Sequence, residues 1–147
     1  MKYGNSHYCE VPRMFWPVSY TKRFDETKKK NIYTEDNDDK YKKMYELSVY
    51  AKWTYITLKE LEHRYTGVKN NGETVYYEGV ENSKNWFYCG MDKLTFMTGV
   101  SESSTRKAVA ELRNAGLIMT CTVWFIKNGR RTGRSCTGYY VFGEENF

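Results

Sequence analysis

Between Gly90 and Ile118 the chain reads GMDKLTFMTGVSESSTRKAVAELRNAGLI, and apolar residues recur there twice at helical spacing. The first run, Asp92 to Thr98, puts Leu94 and Met97 on one side with Phe96 beside them. Gly99 ends it, supplying the positive φ that a helix C-terminus often needs. Val100 is expected to be buried in the turn. Ser101 is a good N-cap for a second helix, whose Thr105, Ala108, Val109 and Leu112 form one stripe. Gly116 stops that helix, and Leu117-Ile118 leave as an extended apolar pair. The opposite face of the second helix carries Glu102, Ser103, Arg106, Lys107 and Arg113. A short polar and cationic face, braced by another helix across a tight turn, suits insertion into a DNA major groove. An ordinary helical hairpin with a solvated charged face is the plainer alternative.

The flanks extend this pattern. Ile118 runs into MTCTVWFI, then KNGRRTGR, then SCTGYYVF, which predicts strand, turn and strand, with Asn128-Gly129 as the hairpin turn. Asn85 to Cys89 is a short β-prone run before the first helix. Strand, helix, turn, helix and hairpin is the order of a winged helix-turn-helix, an α+β fold. Residues 85–143 would form that unit.

Upstream, Tyr41 to Tyr65 predicts the longest helix, a core element over 41–66. Ser48 can cap it, and Leu47, Ala51, Tyr55, Leu58, Leu61 and Tyr65 recur at helical spacing. Lys52, Lys59, Glu60, Glu62 and Arg64 mark its wet side, and Gly67 should end it. Residues 67–84, with two turn signals around TVYYEGV, form either a loop or a hairpin insertion. Residues 1–40 read as an N-terminal extension. Its segment Tyr8 to Val11 is extended, a helical turn follows through Met14-Phe15-Trp16, and these apolar residues must pack back or meet a second subunit. From Thr21 to Lys43, with Lys28-Lys29-Lys30 and Glu35-Asp36-Asn37-Asp38-Asp39, a mobile charged loop is expected.

Charge sharpens the picture more than composition does. The 147 residues, 40% hydrophobic and 17% aromatic with 14 Tyr, suit a single domain of modest core. Net charge is +5, yet Ser104 to Gly143 alone carries +6: seven Lys/Arg against the single acid Glu111. Basic charge is thus gathered on the second helix and the hairpin, where a polyanion would sit. Lys127, Arg130, Arg131 and Arg134 fall in or beside the hairpin turn, where no core is expected to neutralise them. Cys9, Cys89, Cys121 and Cys136 show no CxxC spacing and the histidines are only His7 and His63, so no metal site is expected. Cys121 and Cys136 could face each other across the hairpin, as reduced thiols. No apolar run approaches the roughly 18 residues of a membrane span, and no signal-peptide core is present, so a cytoplasmic protein without membrane contact is expected.

Three segments taken together resemble the N-terminal DNA-binding domain of RepA-type replication initiators of plasmids, phages and mobile elements of Gram-positive bacteria. They are YCEVPRMF at Tyr8 to Phe15, YKKMYELSVYAKWTYITL at Tyr41 to Leu58, and MDKLTFMTGVSESSTRKAVAELRNAGLI at Met91 to Ile118. The chain departs from the family pattern in carrying Leu61 where an Arg is frequent, and Ser104-Thr105 where Thr-Val is usual. The resemblance implies a winged helix acting at a replication origin, paired subunits and contacts with host replication proteins.

The expected function is sequence-specific binding of double-stranded DNA. Ser103, Arg106, Lys107 and Glu102 would read base edges. Arg130, Arg131 and Arg134 would hold phosphates or enter a minor groove, with Lys127 and Arg113 beside them. A transcriptional regulator or a phage-encoded protein-interaction module could use the same winged helix. A single-strand or RNA binder would instead stack bases on Trp86, Tyr88, Trp124 and Tyr140, although strand aromatics are more often core. No Gly-rich phosphate loop, metal cluster or nucleophile–His–acid set is evident, so binding without a cofactor is expected rather than catalysis.

Overall fold

The computed structural model describes residues 15–16, 20–35, 42–65 and 74–143. Ten elements are defined in these segments: β1 Tyr20–Asp25, β2 Lys30–Glu35, α1 Lys42–Tyr45, α2 Val49–Tyr65, β3 Thr74–Tyr77, β4 Phe87–Cys89, α3 Met91–Thr98, α4 Glu102–Asn114, β5 Ile118–Lys127 and β6 Arg130–Val141. The protein is α+β, with two antiparallel sheets. One is the β1–β2 hairpin; the other has the strand order β3-β5-β6-β4.

The larger sheet has two unlike faces, as the alternation of a pleated strand dictates. On the first face, Phe87, Cys89, Ile118, Tyr139 and Val141 meet the helices and complete one core with Ala51, Tyr55, Leu58, Leu61, Leu94, Ala108 and Leu112. Of the stripe expected from helical spacing, Ala51, Tyr55, Leu58 and Leu61 are thus buried, whereas Leu47, which precedes α2, and Tyr65 are partly buried. Phe15 joins this core, 4% exposed, with its ring edge-on to Tyr55 at 5.3 Å. The Tyr55 hydroxyl also donates to the Phe142 carbonyl, which ties α2 to the end of β6. On the second face, Val123 is fully buried although no helical residue belongs to its layer. Aromatic rings cover it: Tyr77, Trp86, Tyr140 and Phe142 make a chain of ring contacts at 5.1–6.2 Å, and Tyr88 meets Phe125 at 5.5 Å. Gly138 lies beneath this layer. A Cβ there would stand 2.6 Å from Val123 Cγ2 and 2.9 Å from Cys121 Sγ, closer than packed atoms allow.

Several expectations are corrected. The core helix expected over 41–66 is two helices, α1 and α2, and Ser48 caps the second as anticipated: its Oγ accepts from the Ala51 N–H at 3.1 Å. Glu111 of α4 completes that cap, accepting from both the Ser48 N–H (3.1 Å) and Oγ (2.8 Å). A carboxylate beside a helix N-terminus is favoured by the helix dipole as well as by the hydrogen bonds. The loop expected from Thr21 to Lys43 is largely the β1–β2 hairpin, paired from Tyr20↔Glu35 to Asp25↔Lys30. Its turn is organised by Asp25 Oδ1, which accepts from the N–H groups of Thr27 (2.9 Å) and Lys28 (3.1 Å). Within the segment 67–84, expected to be a loop or a hairpin insertion, Thr74–Tyr77 forms β3, which adds to the sheet edge beside β5. The segment's part 67–73, including Gly67, lies outside the described residues, as does the acidic run 36–39.

The turn between α3 and α4 forms as anticipated. Gly99 has φ 72° and its N–H donates to the Thr95 carbonyl, while Ser101 Oγ accepts from the Ser104 N–H at 3.3 Å. Two buried threonines add detail that apolar spacing does not carry. Thr105 Oγ1 donates to the Ser101 carbonyl at 2.9 Å and lies 3.4 Å from Thr98 Oγ1. Trp53 of α2 donates from Nε1 to the Thr98 carbonyl at 2.8 Å. Val100 is half-buried rather than buried, and Phe96 is 82% exposed instead of packing beside Leu94.

Two stability measurements follow from this packing. Gly138→Ala should lower the unfolding free energy by about 1–3 kcal/mol through overpacking, read from urea denaturation midpoints. Ser48→Ala should cost about 1 kcal/mol as a lost cap. In a double-mutant cycle with Glu111→Gln, the two losses should be clearly non-additive. Additive losses would mean that the Glu111–Ser48 contact does not connect the helices energetically.

Candidate nucleic-acid interface

Helix α4 buries Thr105, Ala108, Val109 and Leu112 and turns Glu102, Ser103, Arg106, Lys107 and Arg113 to solvent. These five residues therefore share one surface. Arg106 is partnered within it: its guanidinium donates to Glu102 Oε1 at 2.8 Å, with both side chains 61% exposed. An ion pair that open is worth little in water and is easily exchanged for another anion. Arg113 reaches across to Thr120 Oγ1 of β5 at 3.4 Å. Among the described residues, no salt bridge engages Lys107, Lys127 or Arg130. Helix α2 differs, because its Lys59 and Arg64 are paired with Glu62 (3.2 Å) and Glu60 (2.9 Å). Glu111, the one acid of the basic stretch, is committed to Ser48 rather than to these cations.

The hairpin divides its charges. Asn128 and Gly129, with φ 53° and 75°, make the anticipated two-residue turn, so Lys127 and Arg130 stand opposite each other at the tip. Arg131 and Arg134 are not free of protein partners, contrary to the expectation. The Arg131 guanidinium lies 4.9 Å over the Trp124 ring and 5.6 Å from that of Tyr76, with Glu78 at 3.9 Å. Glu78 is held in turn by the Trp124 Nε1–H at 3.3 Å. By strand alternation this cluster is on the helix-bearing face of the sheet. Arg134 stacks 4.5 Å over Phe125 on the other face. The nine candidate residues thus form an α4 group, a tip pair, and two arginines on opposite sides of the hairpin. Of the proposed stacking aromatics, Trp86, Tyr88 and Tyr140 share the second face, whereas Trp124 does not.

A groove of about 600 Å³, unforeseen from the sequence, lies at the β4 edge of that second face. Tyr77, Trp86, Tyr88 and Phe125 line it together with Lys93 of α3 and Arg134 of β6. No local motif signals it, because its walls come from six separate elements. Two thiols also line it, and both are inert by environment: burial pushes Cys89 and Cys136 up to about 11 from an ordinary 9.0. Burial likewise raises the Tyr77 hydroxyl to about 12. Cys121 and Cys136 do not face each other. A register shift between Trp124 and Ile126 sets Cys121 opposite Gly138 and Cys136 opposite Val123. Among the described residues, no group of His, Cys, Asp and Glu could hold a metal ion, and no helix is long and apolar enough to cross a membrane.

Comparisons with protein families, with curated proteins and with solved structures gave no match.

The thiol environments have a measurable consequence. A neutral thiol favoured by folding stabilises the protein below pH 9, and that contribution is lost as pH rises through about 11. The melting temperature should therefore fall between these pH values. At pH 8, site-resolved mass spectrometry should find Cys89 and Cys136 alkylated much more slowly than free cysteine. A thiol that ionises near 11 instead of 9.0 carries roughly a hundredfold less thiolate at that pH.

Proposed function

We propose that this chain is a winged helix-turn-helix protein that binds double-stranded DNA sequence-specifically, in the manner of RepA-type replication initiators. The observation that carries the reading is the α4 surface: a capped helix whose exposed face sets Arg106, Lys107 and Arg113 against the single acid Glu102, whereas Lys59 and Arg64 of α2 are each paired with a glutamate. Its 13 residues extend about 20 Å, long enough to lie along a major groove. Two further features support it. Strand β4 precedes α3 and pairs with β6, so that, with β3 as an added edge strand, the order α2, β4, α3, α4 and the β5–β6 hairpin is compatible with a winged helix. The hairpin tip also carries Lys127 and Arg130 beyond the core, where backbone phosphates could be met.

In this reading α4 supplies base contacts through Arg106, Lys107 and Ser103. Arg106 would exchange Glu102 for a guanine edge, and Glu102, once released, could accept from cytosine. Arg113, Lys127, Arg130 and Arg131 would engage phosphates. A homodimer is part of the proposal, because one α4 spans few base pairs and specificity grows with a second half-site. Of the N-terminal aromatics expected at a subunit contact, Phe15 is in the core and unavailable, Trp16 is 55% exposed, and Tyr8 lies outside the described residues. A cytoplasmic role at a plasmid or phage origin, with host replication proteins as later partners, fits the resemblance.

The deciding experiment is selection of bound sequences from a random duplex pool. Recovery of one consensus supports the reading; repeated direct copies near the encoding gene would favour an initiator, and a promoter palindrome a regulator. No enrichment would defeat it. On the selected site Arg106→Ala should cost about 1–3 kcal/mol, and much less on random duplex. Lys127→Ala with Arg130→Ala should weaken both duplexes alike and make the slope of log K against log salt shallower by about 1–2 units. An unchanged slope would mean that the tip touches no phosphate.

A further inference from the structure

The groove at the β4 edge of the sheet has no part in duplex binding through α4, yet it is built from nucleic-acid-binding chemistry. Two of its aromatic pairs, Tyr77 with Trp86 and Tyr88 with Phe125, meet edge to face at interplanar angles of 63° and 89°. In such a pair the edge-donating ring keeps both of its faces clear of its partner, so π-surface remains for a flat ligand. Cations stand at the same walls. Arg134 lies 4.5 Å over Phe125, and Lys93 lies 4.6 Å over Tyr65 at the end of α2. A hydrogen bond with Tyr65 holds Lys93 above its ordinary pKa, so its charge is secure. Asp92 is the one carboxylate among the described lining residues; the thiols and the Tyr77 hydroxyl stay neutral. At about 600 Å³ the space accommodates one or two nucleotides.

Resting on the reading of the chain as a DNA-binding protein, we infer that this groove holds unpaired bases of single-stranded DNA while α4 engages duplex. Bases stack on the exposed ring faces, and Lys93 and Arg134 contact the adjoining phosphates. Stacking of this kind tolerates any sequence, because every base has a π-face. The groove shares no lining residue with the exposed face of α4 or with the Lys127–Arg130 tip, so the protein can hold a duplex and a neighbouring melted strand together.

The test uses the whole chain and fluorescein-labelled oligothymidylate of roughly ten nucleotides, read by anisotropy with and without the selected duplex. Binding of oligothymidylate is expected in the presence of saturating duplex. Tyr88→Ala and Lys93→Gln should each reduce it about tenfold, with duplex affinity unchanged. Tyr88→Phe, which keeps the ring, should bind as the native protein does, and this separates stacking from a folding defect. Three results would overturn the inference while leaving duplex recognition intact: no oligothymidylate binding, binding indifferent to both variants, or full competition between single strand and duplex. If neither nucleic acid binds, the DNA-binding reading itself fails.

Discussion

The arrangement of the helices depends on one carboxylate. Glu111 sits on α4, and its Oε2 receives both the backbone N–H and the hydroxyl of Ser48, at the start of α2. Ser48 starts α2 through its own bond to the Ala51 N–H, and Glu111 ties that start to α4. Helix α2 thus begins at Val49 and lies against α4 at a fixed rotation. Burial of Ala51, Tyr55 and Leu58 on one side and of Ala108, Val109 and Leu112 on the other then supplies the bulk of the energy. The polar contact contributes orientation more than magnitude. The buried stripe Thr105, Ala108, Val109 and Leu112 decides which side of α4 is left outside, and so which residues a ligand can meet.

The sheet imposes the second constraint. Because side chains alternate along β5 and β6, a run of basic residues cannot form one patch. Arg131 is delivered to Trp124 and Tyr76, and Arg134 to Phe125. Both guanidiniums are weakly hydrated and planar, and they rest on aromatic faces at low cost while staying able to reach an anion. The hairpin therefore has a charged tip and two charged flanks, in place of a single clamp.

The helical pair, its cap and its turn were legible because each is encoded locally: Gly99 by its φ, Ser101 by its side chain, the buried stripe by its period. The hairpin turn at Asn128-Gly129 was legible for the same reason. What was not legible depends on partners distant in sequence. Charge suggested a loop for residues 21–43, whereas cross-strand pairing of Lys22 with Tyr33 and Arg23 with Ile32 makes a hairpin. The edge position of β3 depends on β5, some fifty residues later, and the groove depends on six elements at once. The candidate α4 residues could be named from the pattern alone. The partners of Arg131, Arg134 and Glu111 could not, since each is supplied by another element.

The register shift in the β5–β6 hairpin bears on how such a protein can vary. Trp124 pairs with Ser135 and Ile126 with Arg131, so β6 contains two more residues than β5 across the same interval. An excess of two preserves the pleat's alternation, whereas an excess of one would exchange the faces of every side chain beyond it. Arg131 thus remains on the same side as Trp124 despite the irregularity. Length changes near the tip are consequently quantised. Additions or losses in pairs move the tip cations outward or inward and spare the layers beneath, while odd changes would carry apolar rings into water. The reach of this arm can therefore drift among descendants of the sequence without any adjustment of the core.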